Sequence, residues 1–278
     1  MTTPNQEEIR AAWDQIAPGY DKTNTVTQMW LGNEGLRRAG LRAGMKFLDV
    51  AAGSGALSIP AARLGATVLA TDLSTVMLEL LGARARREGL NVETRVMDGH
   101  ALQIEDNSFD MAGSQFGVML FPDMPKAIRE MARVVKPGAR VLIHAYGDPH
   151  EIEFIGFLVR AAQSVRPEFQ GPPADLPPLE FQLADPNRLR KELSAAGLKD
   201  VKVETITEAT EHKTSKDLWE WLVWSNPIVE NILSDMLKLT SDERAIVQRA
   251  LDRLVRERAG ASGAAKLTNP VNIGFGTK

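Results

Sequence analysis

The chain has 278 residues, 44% of them hydrophobic and 25% charged, with a net charge of −3 and a pI of about 5.9. That balance suits an ordinary globular protein and argues against a nucleic-acid partner, which would call for a basic surface. The lack of cysteine excludes disulfides, thiolate metal sites and a cysteine nucleophile.

The length suits one α/β domain of ~200 residues with insertions. Met1 to Arg10 is polar, with no basic region leading into an apolar run, so no signal peptide is read there. No segment approaches ~18 uninterrupted apolar residues, so no membrane insertion is expected, and a cytoplasmic location is the default. Two amphipathic helices are predicted to open the chain. The first runs from Asn5 to Ala17, with Ile9, Ala12, Trp13 and Ile16 at helical spacing, and stops at Pro18-Gly19. The second covers Thr27 to Ala39 and ends at Gly40.

Strands and helices then alternate. Strands are predicted at Lys46–Val50, Ala66–Thr71, Val92–Met97, Phe109–Ser114 and Arg140–Ala145, and helices at Gly55–Leu64, Thr75–Glu88 and Met124–Val135. The basic residues Arg84, Arg86 and Arg87 lie beside Glu79 and Glu88 and read as a solvated helix face. Past Tyr146 the pattern changes to a helix over Glu151–Val165, a proline-rich loop from Pro167 to Pro178, and a helix opened by Asp185 as N-cap and Pro186 at N1. A strand follows at Val201–Thr207, helix from Ser215 to about Arg258, and a last strand within Asn272–Thr277. The expected fold is a Rossmann-like, doubly wound, mostly parallel sheet of seven strands. Residues 1–45 form an N-terminal helical lid, and helical insertions at about 147–184 and 208–268 cover the sheet.

Ligands of open α/β sheets bind beyond the carboxyl ends of the strands. The first strand runs into Asp49-Val50-Ala51-Ala52-Gly53-Ser54-Gly55. A glycine turn alone would suit a dinucleotide as well. However, the third glycine of that fingerprint is replaced by Ser58, and Asp49 would repel a pyrophosphate while suiting a ligand with an ammonium and a sulfonium. The second strand ends in Asp72, placed to accept a ribose diol. The third ends in Asp98-Gly99-His100, where a carboxylate can accept the adenine amine. Helix capping by Asp72 and a turn role for Asp98 are the structural alternatives.

These residues resemble the class I S-adenosylmethionine-dependent methyltransferases, especially the ubiquinone and menaquinone biosynthesis branch, over roughly residues 10–207. The further marks are Trp13-Asp14-Gln15-Ile16-Ala17-Pro18-Gly19-Tyr20-Asp21, Phe109-Asp110 and Val134-Val135-Lys136-Pro137-Gly138. Ala52 stands where many relatives carry cysteine or glycine. The resemblance implies S-adenosylmethionine as cofactor, with S-adenosylhomocysteine as product. It implies cofactor contacts at Tyr20, Asp49, Ala51, Gly53, Gly55, Asp72, Leu73, Asp98, Gly99, His100 and Ser114, with the segment around Tyr20 folding over the ligand.

Methyl transfer from a sulfonium is an in-line displacement that needs alignment and exclusion of water more than a side-chain catalyst. If the acceptor is a hydroxyl, His144 near the end of the fifth strand is the candidate base, the alternative being a hydrogen-bonded core histidine. His100, His150 and His212 are weaker candidates. Gln115, Phe116, Met119, Tyr146 and Trp219, Trp221 and Trp224 are candidates for the acceptor pocket, with core or cap packing as the alternative. By spacing, Trp221 is expected to point away from Trp219 and Trp224. No motif for nucleobase or glutamine amines follows the fourth strand, so the expected partner is a small, flat, largely apolar molecule methylated on O, N or C. No metal is called for, and the N-terminal helices and helical insertion offer apolar surface for a homodimer. Two rivals are a protein that binds the cofactor without methylating and, further off, a nicotinamide-dependent oxidoreductase.

Overall fold

The computed structural model describes residues 5–171, 179–225 and 238–278. Helix α1 (Gln6–Tyr20) opens with a capping box in which the Asn5 side chain accepts from the Glu8 amide and Glu8 reaches back to the Asn5 amide. The predicted stop at Pro18-Gly19 is corrected: the helix runs on through Tyr20 into a π-helical turn, Asp21–Thr25, and then into α2 (Val26–Ala39). Pro18 removes one intrahelical bond, but the segment is held from outside. Ile16 and Ala17 are buried against Met77 and Trp224. Gly19 is required by that packing, because a Cβ there would sit 2.3 Å from the Trp224 ring.

The strands β1 (Lys46–Val50), β2 (Thr67–Asp72), β3 (Val92–Val96), β4 (Phe109–Gln115), β5 (Val135–Tyr146), β6 (Lys199–His212) and β7 (Ala265–Thr277) form one sheet. Their order is 3-2-1-4-5-7-6, with β7 antiparallel to both neighbours and the pairs among β1 to β5 parallel. This is the expected mostly parallel seven-stranded sheet. The strand order reverses between β1 and β4, so a crevice opens beyond their carboxyl ends.

The helices α3 (Ser58–Arg63), α4 (Thr75–Glu88) and α5 (Met124–Val134) connect the parallel strands, and β1, β4 and β5 are buried on both faces against them. Asp110 and Lys136, part of the resemblance, are 2.7 Å apart, and Asp110 also accepts from the Lys46 amide at 2.8 Å. They staple the amino-terminal ends of the strands, opposite the crevice. Helix α7 (Pro186–Ala195) has Asp185 as N-cap and Pro186 in its first turn, as predicted.

The second half departs further from the sequence expectations. Helix α6 (Glu153–Ala162), helix α8 (Ser215–Ser225) and helix α9 (Ser241–Ala259) pack on one another in a separate apolar cluster built on Phe154, Phe157, Trp221, Leu251 and Val255. The predicted 215–258 helix is divided: Thr240 starts α9 with its own capping box, and residues 226–237 lie outside the described residues, as do 172–178 of the proline-rich loop. Strand β6 continues five residues beyond the predicted Thr207, and β7 starts at Ala265. The two strands therefore extend under the helical cap. Among the described residues no helix is long and apolar enough to cross a membrane. Val26 and Trp30 on α2 are exposed apolar residues.

Candidate functional site

At the crevice, the loop after β1 meets the loops after β2, β3 and β4. Ala51, Gly53 and Gly55 all have positive φ, of 55°, 52° and 104°. Two of the three are glycines, for which this conformation costs little; Ala51 carries strain at the turn. Phe116 after β4 is also left-handed at 57°. The next residue, Gly117, lets the two loops abut, since a Cβ on it would lie 2.5 Å from that of Ala51.

The cavity so formed is lined by Tyr20, Asp49, Ala51, Gly53, Asp72, Leu73, Asp98, Gly99, His100, Gln115 and Phe116, all expected from sequence. Leu120 and Phe121, of the segment after β4 read as core or pocket wall, also line it, as do Trp13, Met97 and Pro122, which were not anticipated. Gly99 leaves room for Phe121, because a Cβ would come within 2.5 Å of that ring. The Phe121 ring lies 4.7 Å from the His100 imidazole.

Each acid has a distinct local setting. Asp49 is fully buried at the end of β1, with Oδ2 accepting from Ser58 Oγ at 2.6 Å and Oδ1 without a hydrogen-bond partner. Ser58 thus serves the carboxylate from the position where a dinucleotide fingerprint has glycine. Burial pushes Asp49 up to about 7, against the lowering effect of the Ser58 bond. Asp72 accepts from the Gly53 amide at 2.8 Å and the Ser74 amide at 2.9 Å, tying the β1 and β2 loops together. Each of its oxygens retains a lone pair. Its capping alternative is settled by Ser74, whose Oγ takes the Met77 amide at the start of α4. Asp98 accepts from both the amide and Nδ1 of His100, each at 2.8 Å.

The N-terminal segment lies over this loop. The Tyr20 ring faces Gly53, where an added Cβ would be 3.8 Å from it. Three polar ties hold the segment down: Ser74 Oγ donates to Asp14 at 2.6 Å, Arg84 pairs with Asp21 at 2.6 Å, and Thr25 Oγ1 lies 2.5 Å from Ser54 Oγ. Arg84, expected on a solvated face, is instead turned inward to Asp21.

Several expected site residues stand outside the cavity walls. Gly55 shapes the loop from behind, facing Ile59 and Leu81. Ser114 is buried, its Oγ accepting from the Val118 amide. Met119 is core, and its carbonyl accepts from Gln182 Nε2 at 2.8 Å. Tyr146 stands behind Phe116, the rings stacked at 4.3 Å. The three tryptophans go to different places. Trp219 packs among α6, α8 and α9; Trp224 lies on Gly19 and Ala17; Trp221 is buried 5.0 Å from the Phe154 ring. Trp221 and Trp224 thus pack into separate apolar clusters, whereas Trp219 joins the cluster of Trp221.

The structure also keeps His144 away from the cavity. Its ring is fully buried and Nδ1 lies 2.9 Å from Gln115 Oε1. Gln115 Nε2 donates to the Gln28 carbonyl at 3.1 Å, which fixes the amide and makes Nδ1 the protonated nitrogen. Nε2 faces α2, so closely that a Cβ on Gly35 would be 1.9 Å from it. Burial lowers the imidazole to about 3, so it is neutral. The core alternative describes this histidine; what reaches the cavity is Gln115, which it positions.

The methyltransferase domain model matches residues 48–143, from β1 into β5. The chain is 39% identical over 140 residues to an uncharacterized protein of Mycobacterium tuberculosis, a match spanning about half of each chain. It is 33% identical over 175 residues to the ubiquinone/menaquinone biosynthesis C-methyltransferase of Bdellovibrio bacteriovorus, covering 61% of this chain and 74% of that one. Among solved structures, the [4+2]-cyclase SpnF superposes over all of this chain and 98% of its own, with a TM-score of 0.60 at 16% identity, a likeness of fold alone. The motifs, the strand order and the extent of the Bdellovibrio match agree: the chain belongs to the class I S-adenosylmethionine-dependent methyltransferase family.

Proposed function

We propose that the protein transfers the methyl group of S-adenosylmethionine to a small, flat and largely apolar organic acceptor. One observation carries the reading: acids from three successive strand ends line a single cavity, and the innermost has a buried oxygen, Asp49 Oδ1, without a partner. An ammonium satisfies that oxygen and a pyrophosphate does not, which favours this reading over a nicotinamide enzyme. The bound cofactor supplies a methyl on a cationic sulfur, open to in-line displacement.

The chain's own residues bind and shield. Asp49 takes the ammonium of the amino-acid end, the spare lone pairs of Asp72 take the ribose hydroxyls, and Asp98 takes the adenine amine beside Phe121 and Gly99. Tyr20, tied down through Asp14, Asp21 and Thr25, covers the ligand and excludes water, which strengthens each of these contacts. Gln115 and Phe116 face the side from which an acceptor approaches, and Phe116 presents an aromatic wall to a flat molecule. The quinone-biosynthesis name of the Bdellovibrio relative supports an acceptor of that shape. With His144 buried behind Gln115, transfer relies on alignment.

The test is incubation of metabolite extracts with the protein and deuteromethyl S-adenosylmethionine, followed by mass spectrometry. A protein-dependent mass shift of one labelled methyl is the expected result. A tightly binding protein that labels nothing would instead support the second reading, cofactor binding without methylation, a reading to which the resemblance to the SpnF fold lends its only support.

A further inference from the structure

Beyond the end of β5, strands β6 and β7 continue together, and their register puts a carboxyl where the sheet runs past Tyr146. His144 is opposite Ile273, which is opposite Glu204; Tyr146 is opposite Val271, which is opposite Ile206; one pair further, Asn269 is opposite Glu208. Residues opposite one another, and residues two apart along a strand, share a face. Glu208 and Asn269 therefore stand on the face of His144 and Tyr146. That face is roofed by α2: Gly35 packs on His144, Arg38 pairs with Glu204, and Gln28 Nε2 reaches the Tyr146 hydroxyl at 3.4 Å.

Both residues of the pair are fully buried. Asn269 Nδ2 donates to Glu208 Oε2 at 3.1 Å, which leaves Glu208 Oε1 and Asn269 Oδ1 without partners among the described residues. The donor role of Asn269 is fixed, because a carboxylate oxygen can only accept. Gln28 Oε1 on the roof is also unpartnered. All three free atoms are acceptors, so what completes them is a hydrogen-bond donor. The surroundings are aromatic: Tyr146 stacks on the cavity residue Phe116 and meets Phe154 edge-on at 5.7 Å, and Phe154 meets Trp221 at 5.0 Å. Burial holds the pKa values of Tyr20 and Tyr146 up, and the charge of Glu208 adds to both; its own is pushed up to about 7 by burial. Tyr20 and Phe116 line the cavity on its acceptor side, and Tyr146, stacked on Phe116, connects that wall to the strand pair that carries Glu208.

We propose that Glu208, held by Asn269, is the specificity-determining group of the acceptor site and receives a hydrogen bond from a protic substituent, O–H or N–H, on an otherwise flat apolar acceptor. This rests on the methyltransferase reading and narrows its acceptor class. A protic acceptor satisfies a carboxylate oxygen that is otherwise buried without a partner, and a molecule without such a donor gains nothing there, so the site discriminates by that hydrogen bond.

The test uses 1-naphthol, 1-naphthylamine and 1-methoxynaphthalene as probes, titrated against the full chain by tryptophan fluorescence with and without saturating S-adenosylhomocysteine. At least one protic probe should bind about tenfold more tightly than the methoxy compound, and the better of the two identifies a hydroxyl or an amine as the partner. Glu208→Gln should cut that preference to under about threefold while S-adenosylhomocysteine affinity stays at wild type. Should that variant not fold, Asn269→Ala frees the carboxyl from its clamp and should lower the preference at least twofold. Equal binding of all three probes to wild type, or a preference that survives substitution, overturns the proposal. Loss of S-adenosylhomocysteine binding in the wild type counts against the methyltransferase reading alone.

Discussion

The two sides of the cavity are built by different means. On the cofactor side, the key contacts are local, within one strand-end loop or between it and its neighbour: Asp72 to the amides of Gly53 and Ser74, Asp98 to His100, and Asp49 to Ser58. On the acceptor side the contacts join segments far apart in the chain, such as Phe116 with Tyr146, Phe154 with Trp221, and Asn24 with the carbonyl of Trp221. The first kind of site is a property of the sheet and is set once the βαβ register forms. The second exists only when the N-terminal helices and the α6–α8–α9 cap have both docked.

The largest expected effect is on the sheet side. Asp72→Ala removes two charge-assisted acceptors of a diol, so S-adenosylhomocysteine affinity should fall by ~1–3 kcal/mol in calorimetry, a factor of roughly 5 to 150. It also frees the Gly53 amide, so Asp72→Asn, which keeps an acceptor there, should recover part of the loss. No loss in either variant would mean that the ribose lies elsewhere.

A second effect follows from Asp49. Its folded pKa is about 7, against an ordinary 3.8, because burial disfavours the carboxylate. The sign for stability is that this group's contribution is full at low pH and is lost as pH rises from about 4 through 7. Binding of an ammonium runs the other way, since it requires the ionised form. Affinity for S-adenosylhomocysteine should fall about tenfold between pH 8 and pH 6, with a proton released on binding at the lower pH. Asp49→Asn should abolish that slope, and a flat profile in the wild type would remove Asp49 from the ammonium site.

The smallest effect lies where the two sides meet. The segment from Asn5 to Thr25 is tied to α4 and the glycine loop by a few polar contacts and by Trp224 against Gly19. We propose it as the lid, and adding S-adenosylhomocysteine should slow its amide exchange severalfold while β4 and β5 are unchanged. Unaltered exchange would make it a static wall and move the opening to the cap.

The same contrast explains what was legible in the sequence. Asp49, Asp72 and Asp98 could be read because a carboxylate at a strand end followed by a turn has few other uses. The seven strands could be read from their alternation. The end of β6 could not: its buried face continues as Glu208, Thr210 and His212, and a polar buried face erases the apolar period of two on which strands are recognised. Pro18-Gly19 misled because the helix there is held by Met77 and Trp224, contacts more than fifty residues away. His144 is opposite Gln115 across the β4–β5 pair, a register that no local pattern discloses. Its position near a strand end was readable; its orientation toward Gly35 was not.

The most direct measurement of the central claim is a calorimetric titration of the wild-type protein with S-adenosylhomocysteine and, separately, NADH. Saturable binding of one S-adenosylhomocysteine per chain, with no heat of binding from NADH, is the predicted result. NADH binding with no response to S-adenosylhomocysteine would contradict the assignment of the three strand-end acids and the function drawn from them.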